Sequence, residues 1–292
     1  MTSTMIPRTD SNVATRHHRI VSADGTALHV IDSGPVDAPA AILLHGYSQN
    51  ALAWRGQLEP PFATRVRAVA VDLRGHGTSD SPPDAYAEPE RWAGDVAAVI
   101  DALELDSPVL VGWSYGGMVM CDYLSVRGSG AIGGVVFVSA ITRVGPPVMR
   151  FLGPEFVALV PALSSTVVDE AVPALDAFLR LCTERPMSPE EQYLALGYNA
   201  SVAPHVRTAL FARDVDHDDL LRARDVPVLV VHGDRDRVVL PAMADHIMSL
   251  TRRATLSAYA GVGHVPFTED RNRFDAELRD FVIAHAGRRA HA

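Results

Sequence analysis

Short apolar runs that alternate with helical patterns constrain the fold of this chain more than any other feature. The runs are "AAILLH" (40–45), "VRAVAVD" (66–72), "PVLVGW" (108–113), "VVFVSA" (135–140) and "VPVLVVHG" (226–233). Helical periodicity is expected over 51–63, 87–105, 115–127, 241–251 and 270–285. A strand that is apolar at every position is typical of a parallel sheet covered on both faces. The alternation predicts an α/β fold, with a mostly parallel central sheet flanked by helices.

The rhythm is interrupted once, over residues 141–224, which are rich in proline and in amphipathic helical patterns and show no clear strand. We interpret this stretch as a helical cap inserted into a core formed by residues 19–140 and 225–287. Residues 1–18 read as a flexible leader, and a hairpin around Asp24-Gly25 opens the core. Ligands bind outside the carboxyl ends of the strands in such sheets, so the loops there are where functional residues are expected.

Composition excludes several functional classes. The 292 residues carry a formal net charge of −9 and no cluster of Lys or Arg, which argues against nucleic-acid binding. The sequence has no stretch of 18 apolar residues, so no membrane span is expected. Its N-terminus lacks the apolar region of a secretory signal. Cys121 and Cys182 lie in apolar contexts without a partner motif, which is typical of reduced cysteines in a cytoplasmic protein.

One serine stands out where a predicted strand meets a predicted helix. Gly112-Trp113-Ser114-Tyr115-Gly116 matches G-x-S-x-G. A strand that turns sharply into a helix strains the backbone at the serine and leaves no room for side chains two positions away. This explains both Gly112 and Gly116, whereas the alternative, a serine that caps a helix after a glycine turn, needs one glycine at most. We therefore interpret Ser114 as a nucleophile.

A nucleophilic serine needs a base and an acid that orients the base, in the order Ser, acid, His. His264 lies among small residues in a loop directly after the last predicted strand, which favours it as the base. Two carboxylates, Asp234 and Asp236, follow "VPVLVVHG"; Asp236 is favoured because it lies deeper in the loop, and Asp234 would then order the turn.

Two backbone N–H groups are candidates for an oxyanion hole. Tyr115 follows the nucleophile at the start of a helix, and Tyr47 lies in the loop "LLHGYSQN" after another strand. His45 stands beside a glycine at the end of that strand and is interpreted as a structural anchor.

Five segments together resemble the α/β-hydrolase fold superfamily, in its serine-hydrolase branch of esterases and cofactor-free haloperoxidase-like or perhydrolase-like enzymes. They are "LLHGYSQ", "VAVDLRGHGTSD", "LVGWSYGG", "LVVHGDRDRVV" and "GVGHVPFTED". The resemblance implies that the acid is the second Asp of "GDRD", Asp236, that His76 belongs to a structural loop, and that the cap shapes substrate choice. Serine at position 114 argues against the haloalkane dehalogenase and epoxide hydrolase branches, which use aspartate.

The hypothesis from sequence is a serine esterase that forms an acyl-enzyme from a small, apolar ester or lactone, without metal or cofactor. The same three side chains could instead serve perhydrolysis or C–C bond cleavage, and some members of this fold are weakly catalytic ligand receptors. The motif "GSGAIG" (128–133) has helix before strand, the reverse of a dinucleotide site, and "DVDHDD" (214–219) lacks the glycine and glutamate of a calcium loop. The sequence leaves a homo-oligomer open.

Overall fold

The predicted alternation is present in the computed structural model, which describes residues 13–287. The strands are β1 Thr15–Val21, β2 Ala27–Ser33, β3 Ala40–Leu44, β4 Arg67–Val71, β5 Val109–Trp113, β6 Gly134–Val138, β7 Arg143–Val144, β8 Val215–Asp216, β9 Val228–Gly233 and β10 Ala254–Tyr259. The helices are α1 Pro89–Ala102, α2 Gly116–Arg127, α3 Pro154–Leu163, α4 Val168–Leu181, α5 Pro189–Ala200, α6 Pro204–Phe211, α7 Asp218–Ala223, α8 Ala242–Leu250, α9 Pro266–Glu269 and α10 Arg271–His285.

Eight of these strands form one sheet in the order β1-β2-β4-β3-β5-β6-β9-β10, which confirms the predicted, mostly parallel central sheet. The strand β2 is antiparallel to both of its neighbours, and every other pairing is parallel. Strands β3, β4, β5, β6 and β9 are buried at every position because helices cover both faces. Leu44 pairs with Gly112, and Trp113 pairs with Val138, so β3, β5 and β6 end side by side.

The opening hairpin around Asp24-Gly25 is confirmed by the pairing of β1 with β2. Strand β1 begins at Thr15, inside the segment 1–18 that the sequence suggested as a leader. The reason is an ion pair: the Arg16 guanidinium donates to both carboxylate oxygens of the buried Asp32, at 3.0 and 2.8 Å. Residues 1–12 of that segment lie outside the described residues.

The single helix predicted over 51–63 is wrong. Two short 3₁₀ turns, Ala51–Trp54 and Phe62–Thr64, stand in its place. Gly56 disfavours a helix between them, and the Pro60-Pro61 pair removes two backbone donors. Trp54 and Phe62 are nonetheless buried, so the apolar positions of the pattern do reach the core.

The stretch predicted as a cap, residues 141–224, contains α3 to α7, in agreement with its helical patterns. It also contains a two-stranded ribbon that the sequence did not predict, in which Arg143 pairs with Asp216 and Val144 with Val215. Strands of two residues are too short to show an alternating pattern. The ribbon brings together the two ends of the segment that carries α3–α6.

The buried, unpaired state of Cys121 and Cys182 is confirmed. Across residues 13–287, the helices are all too short or too polar to cross a membrane.

Candidate active site

Ser114 occupies a strained turn between β5 and α2. Its φ of +53° lies in the left-handed region, which costs a residue other than glycine about 1–3 kcal/mol. The turn is tight: a Cβ on Gly112 would lie 2.6 Å from the carbonyl oxygen of Gly116, and one on Gly116 would lie 2.9 Å from that of His45. Both glycines are therefore required by close backbone packing, as the sequence predicted.

The structure brings Asp236 and His264 together. Asp236 follows β9, His264 follows β10, and the imidazole Nδ1 donates to the carboxylate Oδ2 at 2.8 Å. The other carboxylate oxygen accepts the N–H groups of Val238 and Val239 at 2.8 and 2.9 Å. Asp236 and His264 are 3% and 1% exposed, so this charge-assisted bond is shielded from water. The bond leaves Nε2 of His264 as the imidazole atom free to exchange a proton.

The carboxylate of Asp236 stays ionised although it is buried. Burial by itself would raise its pKa, but the charges and hydrogen bonds of His264 and His232 outweigh burial and hold this pKa well below its usual value. His232 contributes through Nε2, which lies 3.3 Å from Oδ2 of Asp236 and donates to the carbonyl of Val239 at 2.8 Å. Sequence reasoning missed His232, which stands beside a glycine at the end of the apolar run "VPVLVVHG" and carries no other signal.

Trp113 connects the serine turn to the histidine loop. Its indole N–H donates to the carbonyl of His264 at 2.9 Å, and the Trp113 and His264 rings have centroids 5.6 Å apart. Ser114 is the next residue, 8% exposed. Trp113 therefore links the candidate nucleophile to the loop of the candidate base, at the edge of the sheet where the carboxyl ends of β5 and β10 lie.

The loop after β3 passes directly beside the serine. A Cβ on Gly46 would lie 3.5 Å from Ser114 Oγ, so the backbone directly before Tyr47 runs past the nucleophile. Among residues 13–287, no backbone carbonyl accepts the N–H of Tyr47 or of Tyr115. Two unused donors thus flank the serine, which is the arrangement an oxyanion hole needs.

The phenol of Tyr115 has a structural contact. Tyr115 is 1% exposed, donates to the carbonyl of Leu210 at 3.2 Å and accepts from Arg213 at 3.2 Å. Arg213 also pairs with Asp122 of α2 at 2.9 Å, and His217 contacts the same carboxylate at 3.0 Å. Burial raises the pKa of the Tyr115 phenol to about 12. This buried cluster joins α2 to the helical stretch 141–224. In the sequence, its signal is Asp122, a charged residue within the otherwise largely apolar segment of α2.

The remaining candidates lie apart from the Asp236–His264 pair. Asp234 is about half exposed and accepts the N–H of Gly261 at 2.7 Å, so it orders the turn. His45 accepts the N–H of Leu73 at 3.1 Å and donates to the carbonyl of Gly46 at 2.9 Å, which makes it an anchor of the loop. His76 donates to a neighbouring carbonyl.

A cavity of about 720 Å³ lies beside Trp113 and Val265, the residues adjacent to Ser114 and His264. Its walls come from residues 49–59, from α4 and α5 with the segment between them, and from α9. Ser114 and His264 do not line it, but the adjacent Trp113 and Val265 do. The lining mixes apolar groups such as Leu179 and Met187 with charged ones such as Arg55.

Comparison with known proteins identifies the family. Residues 41–277 match the model of the Alpha/beta hydrolase family. A non-heme chloroperoxidase of Streptomyces lividans is 29% identical over 282 residues, which cover 90% of this chain and 98% of the relative.

Two solved structures are similar over nearly their whole length. The crystal structure of an esterase from Rhodococcus sp. ECU1013 has a TM-score of 0.88 and 40% identity, covering 92% of this chain and 99% of that one. The structure of a putative aryl esterase from Burkholderia cenocepacia has a TM-score of 0.85 and 32% identity, covering 91% and 98%.

Proposed function

The chain belongs to the Alpha/beta hydrolase family, and from that premise we propose that it is a serine hydrolase that cleaves carboxylic esters through an acyl-enzyme. The observation that carries this proposal is the 2.8 Å bond between buried Asp236 and His264, next to a serine on a strained turn. The esterases of similar structure support the choice of ester as substrate.

The proposed reaction uses each group in one role. Ser114 Oγ attacks the ester carbonyl while Nε2 of His264 takes its proton and passes it to the leaving alcohol. Asp236 holds the imidazole in the required tautomer and stabilises its positive charge. Water, activated by His264, then attacks the acyl-serine, releases the carboxylic acid and restores the hydroxyl.

The oxyanion formed in both steps would accept the N–H groups of Tyr47 and Tyr115. Each such donor can lower the barrier by about 3 kcal/mol. The donors are backbone groups, so substitution of either tyrosine side chain leaves them in place. The cavity beside Trp113 is proposed to receive one arm of the ester, and the helical stretch 141–224 is proposed to act as the cap that limits its size.

A fluorophosphonate probe followed by peptide mapping tests the nucleophile, and a series of p-nitrophenyl esters of graded chain length tests the reaction. We expect label on Ser114, none on the Ser114→Ala variant, and turnover of at least part of the series. A folded protein that leaves Ser114 unlabelled would contradict the proposal. Labelling without turnover of any ester would point to a ligand receptor instead.

Perhydrolysis is a second candidate because a bifunctional esterase/perhydrolase of Acinetobacter calcoaceticus is 25% identical over 276 residues. In that reaction hydrogen peroxide replaces water and attacks the acyl-serine carbonyl; the acyl group is transferred to the peroxide oxygen, the peracid leaves, and the serine oxygen regains its proton. Peracid formation when hydrogen peroxide is added to an ester assay distinguishes the two outcomes.

A further inference from the structure

We propose that Glu269 is a positioning residue that fixes the His264 loop to the segment 182–185, one wall of the cavity beside the site. The proposal rests on the function proposed for His264. Glu269 lies at the end of α9, five residues after His264.

The carboxylate of Glu269 binds both segments at once. Oε1 accepts the N–H of Gly263 at 2.8 Å, directly before His264. Oε2 accepts the N–H groups of Glu184 and Arg185 at 2.8 and 2.9 Å. Bonds from N–H groups to an ionised carboxylate are about twice as strong as neutral ones, so a single side chain holds three donors from two loops.

Charge supports this role for Glu269. The Arg185 guanidinium pairs with Glu191 at 2.9 Å and not with Glu269. Within residues 13–287 no cationic side chain lies at ion-pair distance from Glu269; the charge of Arg185 acts on it only from farther away. The direct partners of the Glu269 carboxylate are therefore the three backbone N–H groups, and these fix its position.

The two loops also touch directly. The N–H of His264 donates to the carbonyl of Cys182 at 2.8 Å. A Cβ on Gly263 would lie 2.8 Å from that same oxygen and 3.2 Å from the Glu184 nitrogen. Only glycine at position 263 allows the two backbones to approach so closely, so the contact is set by the backbone and not by side-chain packing.

The segment fixed in this way faces the cavity. Cys182 and Thr183 of this segment line the cavity, and so do Met187 and Ser188 just beyond its end. A substrate that presses on this wall therefore presses on a segment bonded to the residue before the base. Glu269 keeps the wall and the imidazole in one relative position, so it affects both substrate binding and proton transfer.

Two variants test this, with a matched control. Glu269→Ala removes both sets of bonds, and Glu269→Gln, the milder change, keeps one carbonyl oxygen and so can serve one loop only. Glu277→Gln is the control, because the Glu277 carboxylate on α10 accepts hydrogen bonds from the side chains of Ser257 and Tyr259 in β10 rather than from the His264 loop or segment 182–185. Amide hydrogen exchange is followed at single residues, together with kcat and KM for p-nitrophenyl acetate and for a longer acyl ester.

The diagnostic amide is that of His264, because its acceptor is Cys182 and not Glu269. We expect its exchange to accelerate at least tenfold in both Glu269 variants, because the loops separate. We also expect kcat for the acetate to fall about tenfold and KM for the longer ester to rise, as a displacement below 1 Å predicts. The control should change none of these values.

Unchanged protection of the His264 amide would overturn the proposal, as would a lower melting temperature with unaltered kcat and KM, which would mean a purely structural role. Hydrogen exchange does not depend on turnover. If the unmodified protein hydrolyses no ester, the proposed function fails, and the exchange data still decide whether Glu269 couples the two loops.

Discussion

Replacement of Gly112 by alanine is the sharpest perturbation of the serine turn. The new Cβ would lie 2.6 Å from the carbonyl oxygen of Gly116 and 2.7 Å from the nitrogen of Gly117, whereas ordinary contacts begin at 3.4 Å. All the opposing atoms are backbone atoms, so no side chain can rotate away. The start of α2 must retreat from β5 by about 0.8 Å, and Ser114 lies between the two.

The size of the effect follows from that displacement. Overpacking of this kind costs about 1–3 kcal/mol, and a shift of about 1 Å in a reacting group can cost about 100-fold in rate. We expect Gly112→Ala to lower kcat for p-nitrophenyl acetate by about 10- to 100-fold. We also expect it to lower the melting temperature by several degrees, since 1 kcal/mol shifts a domain of this size by about 2–4 °C.

Gly197→Ala is the matched control, because a Cβ there meets nothing within 4 Å and the residue lies inside α5. Alanine favours a helix over glycine by about 1 kcal/mol, so this variant should keep its activity and gain slightly in stability. Steady-state kinetics, fluorophosphonate labelling rate and thermal unfolding are measured on both. If Gly112→Ala retains the kcat and melting temperature of the unmodified protein, close packing does not determine the geometry of the turn.

Three further outcomes are expected. Asp236→Asn should lower kcat by about 10⁴-fold, as loss of the tautomer-fixing carboxylate does in other triads, whereas Asp234→Asn should change kcat less than about threefold. The reverse order of these losses in ester assays would identify Asp234 as the acid. Burial lowers the pKa of His45 to about 4. Burial, together with repulsion from a protonated His45, lowers the pKa of His76 to about 3, so both imidazoles are neutral in the folded chain at pH 7. The free energy of unfolding that these neutral histidines contribute is complete above about pH 6.5 and is lost as the pH falls toward these pKa values; for His45 alone it is about 3 kcal/mol. Equal urea midpoints at pH 7 and pH 5 would refute this. Tyr115→Phe should cost about 1–2 kcal/mol in urea unfolding because a buried carbonyl loses its donor, yet leave kcat within about threefold because the backbone N–H remains; a much larger loss of kcat would give the phenol a direct role.

The parts of the site that could be predicted from sequence are those fixed by local backbone rules. Apolar runs fix which segments are buried strands, and parallel strands place their carboxyl ends at one edge of the sheet. Ser114, Asp236 and His264 lie one, three and five residues after β5, β9 and β10, so the sheet places their loops at the same edge. The two glycines of the turn were predictable for the same reason, since backbone contact within a few residues requires them.

The parts that could not be predicted depend on packing between distant segments. Residues 51–63 have a helical spacing of apolar groups, yet the chain buries these groups with two 3₁₀ turns instead of one helix. Helix α3 has many apolar residues with little preference for one face, so its sequence does not show which side packs inward. The pairing of Arg213 with Asp122 joins residues 91 positions apart, and neither residue carries a local signal for the other.

The histidine loop shows how a recognisable motif can contain more than its reactive residue. "GHVPFTED" holds His264, the proposed base, and also Glu269, and the two are connected because the chain turns back through α9 and returns the carboxylate to Gly263. That return depends on the number of residues between them, since one more residue would turn Glu269 by about 100° around the helix. The spacing is therefore part of the positioning device. A histidine in a loop of different length would need another group to hold it against Asp236, which is why the whole segment, and not the histidine alone, carries the information about the site.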